Sequence, residues 1–141
     1  MTKPVYENKY FRIEHSSHYR IAGFLFVIAK EDVNSIPELS TPALECMGAT
    51  LSLAIEAVES VINPINIYCT KFGESGQGLH FHIFPRTQSL TTEYRSQTGF
   101  GTEIDGPHLM SWANQYFTGG RQHGNVQETV QQFSEYFDNG A

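Results

Sequence analysis

The chain has 141 residues, of which 40% are hydrophobic and 17% are charged, and its formal net charge is -6 at pH 7. This composition predicts one globular domain over residues 1–141, with enough apolar surface for a sizeable core. Nine Lys and Arg residues are too few for a protein that binds nucleic-acid backbones. There is no apolar run of the ~20 residues that a membrane span needs and no apolar block typical of a signal peptide. We therefore expect a cytoplasmic protein with no nucleic-acid or membrane partner.

The N-terminal part predicts two neighbouring strands. Residues 10–14 alternate with Phe11 and Ile13 facing inward, and residues 21–29 contain an unbroken apolar run typical of a strand buried on both faces. Between them, residues 15–18 are polar and predict a turn. His15 and His18 could bind a metal, but with no Cys or acidic partner nearby we favour solvated turn residues.

A long helix is the clearest element of the sequence. Thr41 is a plausible N-cap with Pro42 at the first helical position, and Asn63 followed by Pro64 ends the helix. Apolar residues recur at spacings of three and four, which predicts a stripe that covers a sheet. The stripe comprises Leu44, Met47, Leu51, Ile55, Val58 and Ile62. Residues 65–72 and 78–84 then predict two antiparallel strands joined by a turn at 73–76.

The last third is predicted as a loop followed by two helices. Residues 87–103 are polar with little periodicity, which favours a loop beside the preceding strand. A short helix starts at Asp105 and ends before Gly119, and Asn125 caps a final amphipathic helix. Cys46 lies in a helical pattern and Cys69 in a strand pattern, so we expect two buried, unpaired cysteines rather than a disulfide.

The strongest functional signal is the strand over residues 78–84. Its period of two places His80 and His82 on one face. The opposite face is apolar and comprises Leu79, Phe81 and Ile83. Pro85 has no N–H to donate to a β-ladder and should end the strand, which places Arg86 just beyond the end of the strand. Two imidazoles, a guanidinium and the Gln77-Gly78 approach predict a small cationic site suited to a phosphate.

Other chemistries fit this pattern less well. Metal sites of β-rich proteins also use His-x-His, but they need a further His or carboxylate. An arbitrary His-x-His pair could be two half-exposed histidines without a function. That interpretation does not explain why Gln-Gly precedes this pair and Pro-Arg follows it. Neither a P-loop nor a nucleophile elbow occurs in the sequence.

The segment from Gly78 to Arg86 resembles the signature of the histidine triad family, His-φ-His-φ-His-φ-φ with φ apolar, often followed by Pro-Arg. Gly78 stands where the family has its first histidine. The segment 23–30 is similar to the family's Gly-His-x-Leu-Val-x-Pro-Lys strand, with Phe24 in place of that histidine. Lys71 or Thr70 stands about where the family has an Asn on the nucleotide side. The resemblance covers most of the first 86 residues and weakens beyond them.

The resemblance implies an α+β fold in which about five antiparallel strands carry packed helices. It also implies a homodimer that hydrolyses or transfers at the α-phosphate of a nucleotide, such as a dinucleoside polyphosphate or a nucleoside phosphoramidate, without metal or cofactor. By position His80 matches the nucleophile and His82 the histidine that binds phosphate oxygens. Substrate contacts are then expected from Gln77, Gly78, Arg86, Phe24 and Lys71. A nucleotide-binding protein without turnover is the main alternative, and a metal-binding module using His80 and His82 is a third.

Overall fold

A computed structural model describes residues 3–74, 76–99 and 101–140. Its strands are β1 (Tyr6–Glu7), β2 (Phe11–His15), β3 (Leu25–Ala29), β4 (Asn66–Thr70) and β5 (His80–Arg86), and its helices are α1 (Thr41–Ile62), α2 (Gln88–Thr98), α3 (Gly106–Tyr116) and α4 (Val126–Asp138). The strands form one sheet in the order β1-β2-β3-β5-β4, and all neighbours are antiparallel. The predicted α+β architecture with a five-stranded antiparallel sheet is confirmed.

One face of the sheet packs against α1 and α4 around the main apolar core. α1 begins after Ser40, whose side chain accepts a hydrogen bond from the Ala43 N–H, so the true N-cap precedes the predicted Thr41 by one residue. Asn63 ends the helix in the left-handed conformation, with φ of 56°. The buried residues of α1 are Ala43, Thr50, Ala54, Ala57 and Val58. The predicted stripe faces the sheet, since Val58 is buried and Met47, Leu51, Ile55 and Ile62 pack against the core, whereas Leu44 is 43% exposed. The small alanines beside the stripe let the helix approach the sheet closely.

The other face carries a second apolar cluster at one end, which is covered by α2 and α3. α2 occupies most of the segment predicted as a loop. Thr87 caps it by accepting a hydrogen bond from the Leu90 N–H, and Gly99 closes it with φ of 70°. Leu90 and Tyr94 are buried one turn apart, and this pair is too short a pattern to reveal an amphipathic helix.

Two further expectations near the strands are wrong. β5 continues through Pro85, which pairs with Ile67 of β4. The pairing of β5 with β3 ends at Ile83. The missing N–H of Pro85 therefore removes no hydrogen bond to β3. His15 is the last residue of β2 and is buried rather than solvated.

Both cysteines are free, as expected, but neither is fully buried. Cys46 is half-buried, and Cys69, on the edge strand β4, is exposed. In the part of the chain that the structure describes, no helix is long and apolar enough to cross a membrane.

Candidate functional site

The histidine strand has the predicted two faces. Leu79, Phe81 and Ile83 are buried in the main core, while His80 and His82 are half-buried on the opposite face. The two imidazole centroids lie 5.1 Å apart. The alternation of side chains along β5 therefore brings both imidazoles to the face that α1 and α4 do not cover.

His80 is oriented by a backbone carbonyl two residues before it. Its Nδ1 lies 3.0 Å from the oxygen of Gly78. The carbonyl can only accept, so in the neutral ring this contact places the proton on Nδ1 and the lone pair on Nε2. Gly78 has φ of +84°, a conformation that L side chains rarely adopt. A neutral imidazole with a free Nε2 lone pair is a competent nucleophile near pH 7.

His82 is enclosed by aromatic rings. Phe26 stacks on it at 4.7 Å between centroids, and the edges of Phe24 and Phe72 approach at 5.7 Å each. Its Nδ1 is buried and has no hydrogen-bond partner among the described residues. Burial first, and the neighbouring His80 second, lower the pKa of His82 to about 4. His82 is consequently neutral at pH 7 and adds no positive charge to the cationic site that the sequence suggested.

Two cavities meet at His80. One, the outer pocket, has a volume of about 320 Å³ and is the more polar, with Arg12, Glu14 and Ser17 among its walls. The other, the histidine pocket, has a volume of about 330 Å³ and includes His82. His18, Phe26, Gln77 and His80 line both cavities. A ligand atom near His80 could thus have substituents in each cavity.

The remaining sequence-predicted residues lie elsewhere. Arg86 is separated from His82 by the buried Phe84, and its Nη1 donates to the Thr91 hydroxyl at 3.0 Å. Arg86 lines neither cavity, because α2 and α3 cover that end of the sheet. Phe24 is fully buried behind His82. The exposed Lys71 also lines neither cavity.

Sequence reasoning missed several residues of the site. Arg12 and Glu14 form an ion pair of 2.7 Å in the wall of the outer pocket. Both alternate with the core residues Phe11 and Ile13, so the sequence places them on the opposite face of the sheet. The strand order is needed to show that this is the face that carries the two histidines. Tyr19 of the histidine pocket comes from a connection and carries no periodic signal. Phe72, also of this pocket, was predicted as the last residue of a strand, but β4 ends at Thr70 and Phe72 lies in the connection that follows.

The metal alternative gains no support from the described residues, among which no group of three or more His, Cys, Asp or Glu side chains could hold an ion. His15 is already engaged, since Nδ1 contacts the Ser16 oxygen at 2.8 Å and Nε2 accepts from the Gly23 N–H at 2.9 Å.

Comparison with solved structures identifies proteins of similar fold. A histidine triad-like protein from Bartonella henselae is 18% identical over 96% of this chain and 86% of its own, with a TM-score of 0.63. A hypothetical histidine triad nucleotide-binding protein from Sulfolobus tokodaii is 16% identical over 99% and 85%, with a TM-score of 0.64. A zinc-bound histidine triad protein from Mycobacterium smegmatis is 13% identical over 100% and 89%, with a TM-score of 0.61.

No protein-family model matches the sequence, and no curated protein matches it. The chain thus shares the fold of histidine triad proteins at low sequence identity.

Proposed function

We propose that the protein is a hydrolase or transferase that acts at the α-phosphate of a nucleotide through a nucleotidyl-His80 intermediate. The observation that supports this most directly is the contact of 3.0 Å between His80 Nδ1 and the Gly78 oxygen. It holds the proton on Nδ1 and leaves the Nε2 lone pair for attack on phosphorus.

The reaction has two balanced steps. In the first, Nε2 of His80 forms a bond to the α-phosphorus, and the bond from phosphorus to the leaving group breaks. The leaving group departs with the electron pair and takes a proton from water. In the second, water attacks phosphorus, its proton passes to solvent, and the bond to Nε2 breaks, which restores the lone pair of His80.

His82 contributes as a neutral group in this scheme. An imidazole with a pKa of about 4 holds phosphate oxygens by donating one hydrogen bond rather than by charge. Phe24 and Phe26 position its ring by contact. Of the expected substrate contacts, we retain Gln77 and the Gly78 backbone, and assign Phe24 to positioning His82. Arg86 lines neither cavity, so we assign it no contact. We retain Lys71, whose Nζ lies 3.2 Å from where a Cβ on Gly73 of the histidine pocket would stand.

We place the nucleoside in the outer pocket and the leaving group in the histidine pocket. His80 lines both cavities, so a phosphorus atom at its Nε2 would have one substituent in each. The Arg12-Glu14 pair and the serine hydroxyls of the outer pocket offer donors and acceptors for a sugar and a base.

The rival is a nucleotide-binding protein without turnover, and a substrate panel separates the two. Dinucleoside polyphosphates and nucleoside phosphoramidates should be hydrolysed to the nucleoside monophosphate by the wild type and not by His80→Ala. His80→Ala should still bind nucleotide within about tenfold of the wild type, roughly 1.4 kcal/mol. Binding by the wild type without turnover of any member of the panel would favour the rival.

We further propose a homodimer. β4 is an edge strand of the sheet, and the adjoining Ile65 is 52% exposed, so an apolar edge is available for a second copy. Light scattering at micromolar concentrations should give twice the mass of the 15.9 kDa chain. A monomer mass across that range would contradict the proposal.

A further inference from the structure

The wall of the outer pocket contains an ion pair that is largely shielded from solvent. Nε of Arg12 lies 2.7 Å from Oε2 of Glu14, and Glu14 is only 8% exposed. Among the described residues, neither side chain has a second hydrogen-bond partner. Exchanging a buried ion pair for apolar residues is often neutral for stability, so a contribution to folding alone does not explain the pair.

The pair stands in line with the two histidines across the sheet. Residues of β5, β3 and β2 pair in two rows, and each row holds a histidine, an apolar residue and a charged residue. The rows are His80, Ile28 and Arg12, and His82, Phe26 and Glu14. Neighbouring strands are about 4.8 Å apart, so the charged pair lies roughly 10 Å from the histidines. A ribose and a purine together bridge a separation of this size.

The middle of each row forms an apolar floor for the pocket. Phe26 and Ile28 line the outer pocket and are half-buried, and aromatic side chains stack on the faces of bases. With the phosphate at His80, the sugar and the near part of the base would lie on this floor. The far edge of the base would then face Arg12 and Glu14.

The hydrogen-bonding capacity of the pair differs between its two members. Arg12 can only donate, whereas the Glu14 carboxylate can only accept and has about four acceptor sites. The carboxylate can therefore keep its contact with Arg12 while it accepts further hydrogen bonds.

Guanine matches this arrangement better than the other common bases do. It places an acceptor, O6, next to two donors, N1–H and the 2-amino group. Both donors can reach one carboxylate in a bidentate, charge-assisted contact, while O6 accepts from a guanidinium. Adenine, cytosine and uracil each offer the carboxylate a single donor group.

We infer that Arg12 and Glu14 recognise the base and make the protein selective for guanine nucleotides. This inference rests on the proposed function, since a nucleoside reaches the pair in this orientation only if its phosphate lies at His80.

Calorimetric titration of the wild type with GMP, IMP and AMP tests the inference. GMP should bind about tenfold more tightly than AMP, because a bidentate contact discriminates between bases by about a decade or more. IMP keeps O6 and N1–H but lacks the 2-amino group, so its affinity should lie between the two. Glu14→Gln should reduce the GMP advantage to about twofold or less, since its amide has one acceptor oxygen and places an N–H group against the donors of guanine.

Glu7→Gln is the matched control. Glu7 also forms an ion pair, with Lys30 at 3.1 Å, and lies on the neighbouring strand β1, but it lines neither cavity. This variant should keep the tenfold preference for GMP. Each preference is a ratio measured within one protein, so a general loss of folded protein affects both affinities alike.

Equal affinities of the wild type for GMP and AMP, or an IMP affinity equal to that of GMP, would overturn the inference. So would a GMP preference that survives Glu14→Gln while both affinities fall, because the carboxylate would then bind the sugar rather than the base.

Turnover separates this inference from the proposed function. The wild type should hydrolyse the phosphoramidate of GMP with kcat/KM about tenfold above that of AMP. If GMP binds preferentially and neither phosphoramidate is hydrolysed, the base selectivity stands and the hydrolase proposal fails. If both are hydrolysed at equal kcat/KM and the nucleotides bind equally, the hydrolase proposal stands and the guanine selectivity fails. No binding of any of the three nucleotides would overturn both.

Discussion

His80 Nδ1 lies 3.0 Å from the carbonyl oxygen of Gly78, and Gly78 holds a φ of +84°. The backbone conformation of Gly78 sets the direction of its carbonyl, and this carbonyl fixes the tautomer of His80. A change at Gly78 should consequently affect both stability and the orientation of the imidazole.

Gly78→Ala tests this coupling. A left-handed alanine costs about 1 to 2 kcal/mol, and relief of that strain would move the carbonyl away from His80. We expect a stability loss of that size in urea unfolding, together with at least a tenfold slower turnover, as misplacement of a reacting group costs about one to two decades.

Gly76→Ala is the matched control for this variant. Gly76 also has a positive φ, of +69°, and an added Cβ would meet no atom within 4 Å. It should lose similar stability and keep its turnover. Equal rates for Gly78→Ala and Gly76→Ala would show that the Gly78 carbonyl does not orient His80.

The sequence predicted the part of the site that depends on alternation along one strand. His80 and His82 share a face and Leu79, Phe81 and Ile83 are buried opposite, because a period of two fixes both faces at once. Arg86 lies on the same face of β5 as the two histidines, as the period of two predicts. The period does not reveal that α2 and α3 cover this end of the sheet.

The features that the sequence did not predict arise from tertiary packing. α2 carries only Leu90, Thr91 and Tyr94 as buried residues, so its pattern is too sparse to distinguish from a loop. Phe72 was predicted to end a strand, but β4 ends at Thr70, and the period of two does not show that Phe72 contacts His82. The low pKa of His82 depends on rings from β3 and from the β4-β5 connection, which only the fold brings together.

Acid should weaken the fold through His82. In the unfolded chain an imidazole takes up a proton below its ordinary pKa of 6.5, whereas folded His82 stays neutral down to about 4. The unfolded state binds more protons in this interval, so the free energy of unfolding falls as the pH decreases from about 6.5 towards 4.

His82→Phe removes this titration and keeps an aromatic ring at the position. Urea unfolding at pH 7.5 and pH 5 should show a smaller loss of stability in the variant than in the wild type. Some loss should remain, because burial also lowers the pKa of His15 and acts with the same sign. An identical pH dependence in both proteins would contradict a depressed pKa at His82.

Buried His15 should be structural rather than functional. Its ring joins the Ser16 carbonyl to the Gly23 N–H, so His15→Leu would leave two polar backbone groups without that partner. We expect a loss of about 2 kcal/mol or more in the free energy of unfolding. His18→Ala, which removes an exposed imidazole, should change stability by about 0.5 kcal/mol or less, and a comparable loss in both variants would argue against the His15 bridge.

The most direct measurement is intact mass analysis of the protein after brief incubation with a nucleoside phosphoramidate and a quench without acid, followed by mapping of the modified peptide. We expect a nucleotidyl adduct on His80 in the wild type, absent in His80→Ala and slower to form in His82→Ala. An adduct that persists in His80→Ala, or hydrolysis by the wild type with no adduct under conditions that trap phosphohistidine, would contradict His80 as the nucleophile.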